Sequence, residues 1–135
     1  MITLTRRAYF CAGHRLHNPA FSDEQNARIF GQCNNPNFHG HNYTVEVTIA
    51  GEPDPQTGMV MDLKDLKVLI DREIIDRVDH KNLNLDVDFL HGIIPSAENI
   101  VMAFWKILEP KILHGKLTGI RLLESENNIV EYRGK

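Results

Sequence analysis

The chain has 135 residues, 42% of them apolar, which suits one compact domain over 1–135 and is too short for two. Fifteen basic against 18 acidic residues give a net charge of −3, so no electropositive stripe is available to hold a nucleic-acid backbone. Met1-Ile2-Thr3-Leu4 does not open a signal segment, no apolar run reaches membrane-spanning length, and the two cysteines are too few for a disulfide framework. A cytoplasmic protein is expected, with Cys11 a packing thiol and Cys33 a reactive one.

From Ile2 to Ala12, β-branched, aromatic and polar residues alternate into a strand that ends at Gly13, with a parity slip expected around Tyr9 to Cys11. Asn18 to Asn37 lacks sustained periodicity and contains Pro19, Gly31 and Pro36, which predicts a long loop with at most a helical turn at Ser22–Asn26. Asn42 to Ala50 is a second strand, stopped by the turn formers of 51–58, and Met59-Val60-Met61 reads as a short extended piece. Asp62 caps a helix through Val78 with Leu66, Leu69, Ile70 and Ile74 on one stripe. Ser96 caps a second helix running to about Leu113, with Ile100, Val101, Phe104, Ile107 and Leu108 inward and Pro110 near its end. Leu117–Glu124 and Ile129–Arg133 form a hairpin about Ser125–Asn128. The order ββααββ predicts an α+β fold, a four-stranded antiparallel sheet with two helices on one face.

The chemistry concentrates in Cys33-Asn34-Asn35-Pro36-Asn37-Phe38-His39-Gly40-His41-Asn42-Tyr43. Side chains alternate along a strand, so His39 and His41 share a face and can reach one ion. A His-x-His pair alone is commonly solvent-facing. Here positions 39, 41, 43, 45, 47 and 49 read His, His, Tyr, Val, Val, Ile, so the imidazoles belong to the face that becomes apolar and need partners there. His14, in Gly13-His14-Arg15-Leu16-His17, is the best third ligand, with His17 its alternative. Three nitrogen ligands leave a fourth position open, as a catalytic zinc requires.

Glu124 shares its face with Ile120 and Leu122, so it points inward, away from Arg121, and suits a ligand anchor able to accept two parallel hydrogen bonds from an amino-pyrimidinone edge. Asp79-His80 directly follows the first long helix and, with Cys33, offers a carboxylate, an imidazole and a thiol for proton transfer near neutral pH. Glu98 is a first-turn acid beside the Ser96 cap.

Gly13-His14-Arg15-Leu16-His17, the Cys33–Tyr43 run, Thr57-Gly58-Met59-Val60-Met61, Asp79-His80-Lys81-Asn82-Leu83, Glu98-Asn99, and Glu124 with Asn127-Asn128-Ile129-Val130 together resemble the 6-pyruvoyl-tetrahydropterin synthase family over nearly the whole chain. The resemblance implies a T-fold whose sheets close into a barrel in a trimer, two trimers forming a homohexamer. It implies zinc on His14, His39 and His41, Cys33 as catalytic base, and Asp79 with His80 as proton relay. Glu124 would anchor the pterin, with Glu98 and Ser96 near the same pocket. The implied activity is a lyase converting 7,8-dihydroneopterin triphosphate to 6-pyruvoyl-tetrahydropterin and triphosphate, in tetrahydrobiopterin-type biosynthesis, with no nicotinamide. Phe38 departs from the glycine often found before the His-Gly-His and is expected to crowd the Cys33 loop. The alternatives are a 6-carboxy-tetrahydropterin synthase of queuosine biosynthesis, a non-catalytic zinc-stabilised pterin-binding module, and a generic zinc hydrolase.

Overall fold

The computed structural model describes residues 1–135. Five strands, β1 (Ile2–His14), β2 (His39–Gly51), β3 (Lys81–Asn82), β4 (Lys116–Leu123) and β5 (Ile129–Tyr132), form one sheet in the order β3-β1-β2-β4-β5. All neighbours are antiparallel except β3, which runs parallel to β1 through Ala12↔Lys81 and Gly13↔Asn82. The fold is α+β as expected, but the sheet is five-stranded and mixed rather than four-stranded and antiparallel. The added strand is two residues long and rests on the turn before it: His80, at φ 60°, donates its backbone N–H to the Cys11 carbonyl at 2.7 Å. Two residues carry no periodicity, so no sequence pattern announces them.

Three helices are present where two were expected. Helix α1 (Asp23–Phe30) occupies the segment read as a loop, followed by a 3-10 turn at Gly31–Asn34. Its apolar face is too sparse for a helical stripe, and its start is fixed by a capping box in which Ser22 Oγ accepts from the Gln25 N–H while the Gln25 side chain accepts from the Ser22 N–H. Asn26 is fully buried: its Oδ1 accepts from the Asn18 N–H at 2.8 Å, and its Nδ2 donates to the carbonyls of Asn18 and Ser22 at 3.0 and 3.1 Å. Helix α2 starts at Asp62, which caps the Lys64 N–H; it runs as Leu63–Ile70, widens to a π turn over Asp71–Ile75 and ends with Asp76–Val78. Helix α3 (Ala97–Leu108) is capped by Ser96 and stops in a 3-10 turn at Glu109–Lys111 that contains Pro110, short of the expected Leu113. Met59–Met61 pairs with no strand; the Asp54 N–H bonds the Met59 carbonyl at 2.9 Å and folds the segment into a closed loop.

The core lies between one sheet face and helices α2 and α3. Phe10, Tyr43, Val45, Val47, Ile49, Ile120 and Leu122 meet Leu66, Ile70, Ile74, Ile100, Phe104 and Leu108, all buried. Burying each such side chain contributes about 1.5–3 kcal/mol. Phe10 stacks on Tyr43 with centroids 4.7 Å apart and meets Phe104 edge-on at 6.0 Å.

The register of β1 on β2 runs unbroken from Ile2↔Gly51 to His14↔His39, so no parity slip occurs at Tyr9 to Cys11. Phe10, Ala12 and His14 therefore face the helices, and Arg7, Tyr9 and Cys11 the other side. On that outer face Glu46, opposite Arg7 and Arg121 in the ladders, bonds both at 2.7 and 3.0 Å. This uses Arg121 and leaves Glu124 without a partner from its own strand.

Candidate metal centre and active site

The unbroken register that carries β1 inward at its C-terminal end also pairs His14 with His39 and Ala12 with His41. Three imidazoles consequently converge at one end of the helix-covered face. Their ring centroids lie 4.6 Å (His14–His39), 5.0 Å (His14–His41) and 4.9 Å (His39–His41) apart. One nitrogen from each falls within 4.8 Å of the others. His14, not His17, completes the trio; His17 Nδ1 instead lies 2.9 Å from Asn34 Oδ1.

Several features of this trio fit a metal ion. His14 Nδ1 lies 2.8 Å from the Pro95 carbonyl, which only a protonated Nδ1 can approach favourably, so Nε2 carries the free lone pair. Both ring nitrogens of His39 and Nε2 of His41 are buried with no hydrogen-bond partner. Leaving buried polar atoms unpaired costs about 1–3 kcal/mol each, and an ion among the three rings would remove that cost for one nitrogen of each ring. Burial also holds the His14 and His39 imidazoles below their ordinary pKa of 6.5, so the rings offer lone pairs at neutral pH.

Glu124 follows β4, where its N–H bonds the Asn128 carbonyl at 3.0 Å and closes the hairpin. Its oxygens lie 4.0 Å from His14 Nε2 and 3.8 Å from His41 Nε2. The inward placement read from strand parity therefore holds. A cavity of about 430 Å³ opens beside it, lined by Leu16, Ser96, Glu98, Glu124, Asn127 and Asn128 among others. Ser96, Glu98 and Glu124 thus share one pocket next to the histidines. Ser96 Oγ also accepts the Asn99 N–H at 3.2 Å, so its capping and its place in the pocket arise together.

Cys33 sits in the 3-10 turn after α1. Its carbonyl accepts the Leu16 N–H at 2.8 Å, and the Asn34 carbonyl accepts from Arg15 Nε at 2.9 Å, which fastens the turn to the segment just after His14. Burial first, then the charges of Glu124 and Cys33, push the Tyr43 phenol far above its ordinary value. Tyr43 stays neutral, its hydroxyl beside the His14 ring at 3.4 Å from Nδ1 and 3.5 Å from Nε2. Sequence parity put Tyr43 on this face without giving it a role.

Asp79 and His80 do not join Cys33 within the chain. The sulfur that lies within 4.8 Å of both is that of Cys11, on the outer face of the sheet. Asp79 Oδ1 accepts the Cys11 N–H at 2.9 Å, and Oδ2 is 3.1 Å from His80 Nδ1. Those bonds, the Cys11 N–H foremost, hold the Asp79 carboxyl below its ordinary pKa. Cys11 is half-buried beside these groups rather than packed in the core, a correction that follows from the unslipped register.

The family model described as 6-pyruvoyl tetrahydropterin synthase matches residues 3–135. The chain belongs to the 6-pyruvoyl tetrahydropterin synthase family. Within it, the 6-pyruvoyl tetrahydrobiopterin synthase of Homo sapiens is 46% identical over 132 residues, covering 98% of this chain and 91% of the relative. The 6-carboxy-5,6,7,8-tetrahydropterin synthase of Rickettsia typhi is 31% identical over 150 residues, covering 97% and 99%. The solved 6-pyruvoyl tetrahydropterin synthase of Caenorhabditis elegans superposes with a TM-score of 0.93 at 38% identity, covering 99% of this chain and 96% of that one. The family's two-layer arrangement of sheet and helices is therefore the frame in which the histidine trio sits.

Proposed function

We propose that this chain is a zinc-dependent 6-pyruvoyl-tetrahydropterin synthase, a lyase that converts 7,8-dihydroneopterin triphosphate to 6-pyruvoyl-tetrahydropterin and inorganic triphosphate. The observation that carries the reading is the histidine trio with unpaired buried nitrogens next to an inward carboxylate, in a chain 46% identical to the 6-pyruvoyl tetrahydrobiopterin synthase of Homo sapiens. His14, His39 and His41 would hold the ion, which when bound supplies Lewis-acid polarisation of a substrate oxygen.

The protein's own groups do the rest. Glu124, ionised, accepts two hydrogen bonds from the amino-pyrimidinone edge and fixes the ring at the floor of the pocket, with Ser96 and Glu98 along its wall. Cys33, as thiolate, takes a carbon-bound proton from the side chain. His80 moves protons, with its Nδ1–H oriented by Asp79, and a proton returns to the ring as triphosphate leaves. The ring gains the two hydrogens that the side chain gives up, so no external oxidant or reductant enters. Within one chain Asp79 and His80 stand beside Cys11, and they reach Cys33 from a neighbouring subunit. The assembly that allows this is a trimer whose sheets close into a barrel, doubled to a homohexamer.

The test is incubation of the purified protein with dihydroneopterin triphosphate and identification of products by mass. Triphosphate with the pyruvoyl pterin supports the proposal; acetaldehyde identifies the 6-carboxy reaction instead, and no turnover identifies a binding module. Cys33→Ala should lower turnover by about 100-fold or more while leaving pterin binding in place.

A further inference from the structure

Outside the histidine trio, one other place gathers metal-ligating groups of three kinds. Cys11, Asp79 and His80 each place a ligand atom within 4.8 Å of the other two, on the sheet face opposite His14. Backbone bonds impose the arrangement. The Cys11 N–H reaches Asp79 Oδ1 at 2.9 Å, the His80 N–H reaches the Cys11 carbonyl at 2.7 Å, and the next residues pair as Ala12↔Lys81. His80 takes a left-handed φ of 60° to make this turn, a conformation costing about 1–3 kcal/mol that persists only where its surroundings enforce it.

The site also has room in front of it. A cavity of about 380 Å³ opens there, lined by Cys11, Gly13, Gly40, Asn42, His80 and Lys81. Gly13 and Gly40 face each other in the ladder and put no side chain between the sulfur and solvent. Within one chain the His80 side chain is 80% exposed, so no contact of its own chain stops the ring from turning a nitrogen toward the sulfur. A carboxylate has about four lone-pair positions, and the Cys11 N–H and His80 use two of those on Asp79. Ligand atoms around a tetrahedral ion with bonds of 2.0–2.3 Å lie about 3.5 Å apart, so closure from the present separations takes a shift of about 1 Å.

We propose that Cys11, Asp79 and His80 form a second site for a divalent cation of the zinc class, on the sheet face opposite the same chain's histidine trio and with its fourth position toward the cavity. Thiolate, imidazole and carboxylate together favour zinc or cobalt over magnesium or calcium. The binding stands on these three residues alone. Its consequence rests on the reading of His80 as a relay: a cation held there takes His80 out of proton transfer, so excess metal inhibits turnover.

Cobalt(II) added to the metal-free full chain is the probe, because a bound thiolate gives a sulfur-to-cobalt charge-transfer band in the near ultraviolet. The expected result is about two cobalt ions per chain, with a thiolate band that persists in Cys33→Ala and disappears in Cys11→Ser together with one of the two ions. A band lost in Cys33→Ala and kept in Cys11→Ser, or no thiolate band in the parent, overturns the proposal. The parent also provides a test free of any folding defect. Cobalt beyond one equivalent should slow iodoacetamide labelling of Cys11, mapped by mass, at least tenfold; unchanged labelling counts against the site. Inhibition by the second equivalent is read separately, so its absence would remove His80 from the relay without removing the metal site.

Discussion

Phe38 carries a backbone cost that its side chain does not explain. It has a φ of 69°, a left-handed conformation that glycine adopts freely and that costs an L-residue about 1–2 kcal/mol. That strain sits at the turn where the Phe38 N–H bonds the Asn35 carbonyl at 2.9 Å. Phe38→Gly relieves that strain and raises unfolded-chain entropy by a smaller amount, about 0.4–1 kcal/mol. The variant should melt at or slightly above the parent temperature in a thermal scan and retain its metal; a clear drop in melting temperature would show that the aromatic ring contributes more by packing than the backbone loses. At His14 and His39 the argument is about protons. Both pKa values lie below 6.5 because burial disfavours the imidazolium, so protons compete with metal only below that ordinary value. Metal content after dialysis should be flat from about pH 8 to about pH 6.5 and fall only at lower pH. His39→Ala should lose most of it throughout.

Helix α1 shows how an element can rest on one polar residue. With Asn26 replaced by alanine, the Asn18 N–H and the carbonyls of Asn18 and Ser22 lose partners inside the protein, a defect of about 2–3 kcal/mol. Asn26→Ala should lower the melting temperature and speed hydrogen exchange through residues 18–34, with turnover falling because the Cys33 turn follows α1 directly. Metal content should stay at the parental level, since His14, His39 and His41 lie on β1 and β2. Legibility in the sequence divides along the same physical line. Helices α2 and α3 and strands β1, β2 and β4 bury apolar residues in phase, so Leu66, Ile70, Phe104 and Leu122 announce themselves by period. The inward histidines and Glu124 were legible for the same reason, being polar residues at apolar positions. Helix α1 and β3 depend on side-chain caps, a buried amide and a left-handed histidine, which leave no periodic trace. That Asp79 and His80 meet Cys11 rather than Cys33 follows from the pairing of β3 with β1, a contact between residues nearly seventy positions apart that no local pattern encodes.

At the scale of the whole molecule the exposed edge of β1 becomes decisive. Strand β3 covers only Ala12 and Gly13, so residues 2–10 have no neighbour on the side away from β2. Cys11 directs both its N–H and its C=O toward Asp79 and His80 on that side, and alternation along an unbroken ladder points the backbone groups of Tyr9, Arg7, Thr5 and Thr3 the same way. An open row of this length is a template for another strand, and the four-residue β5 is the other edge strand of the sheet. Pairing of the two edges around a threefold axis would close the barrel. A proline at an outward position removes a donor to the neighbour while sparing the β1–β2 ladder; at an inward position it breaks the ladder itself. Thr5→Pro should therefore convert an assembly of three or six 15.4 kDa chains into monomers that keep their far-ultraviolet circular dichroism and bound metal, as measured by light scattering after gel filtration and by metal analysis. Ala8→Pro should unfold the chain. If Thr5→Pro retains the parental mass, or if the parent is itself monomeric, the edges do not form the subunit contact, and the route by which Asp79 and His80 reach Cys33 fails with it.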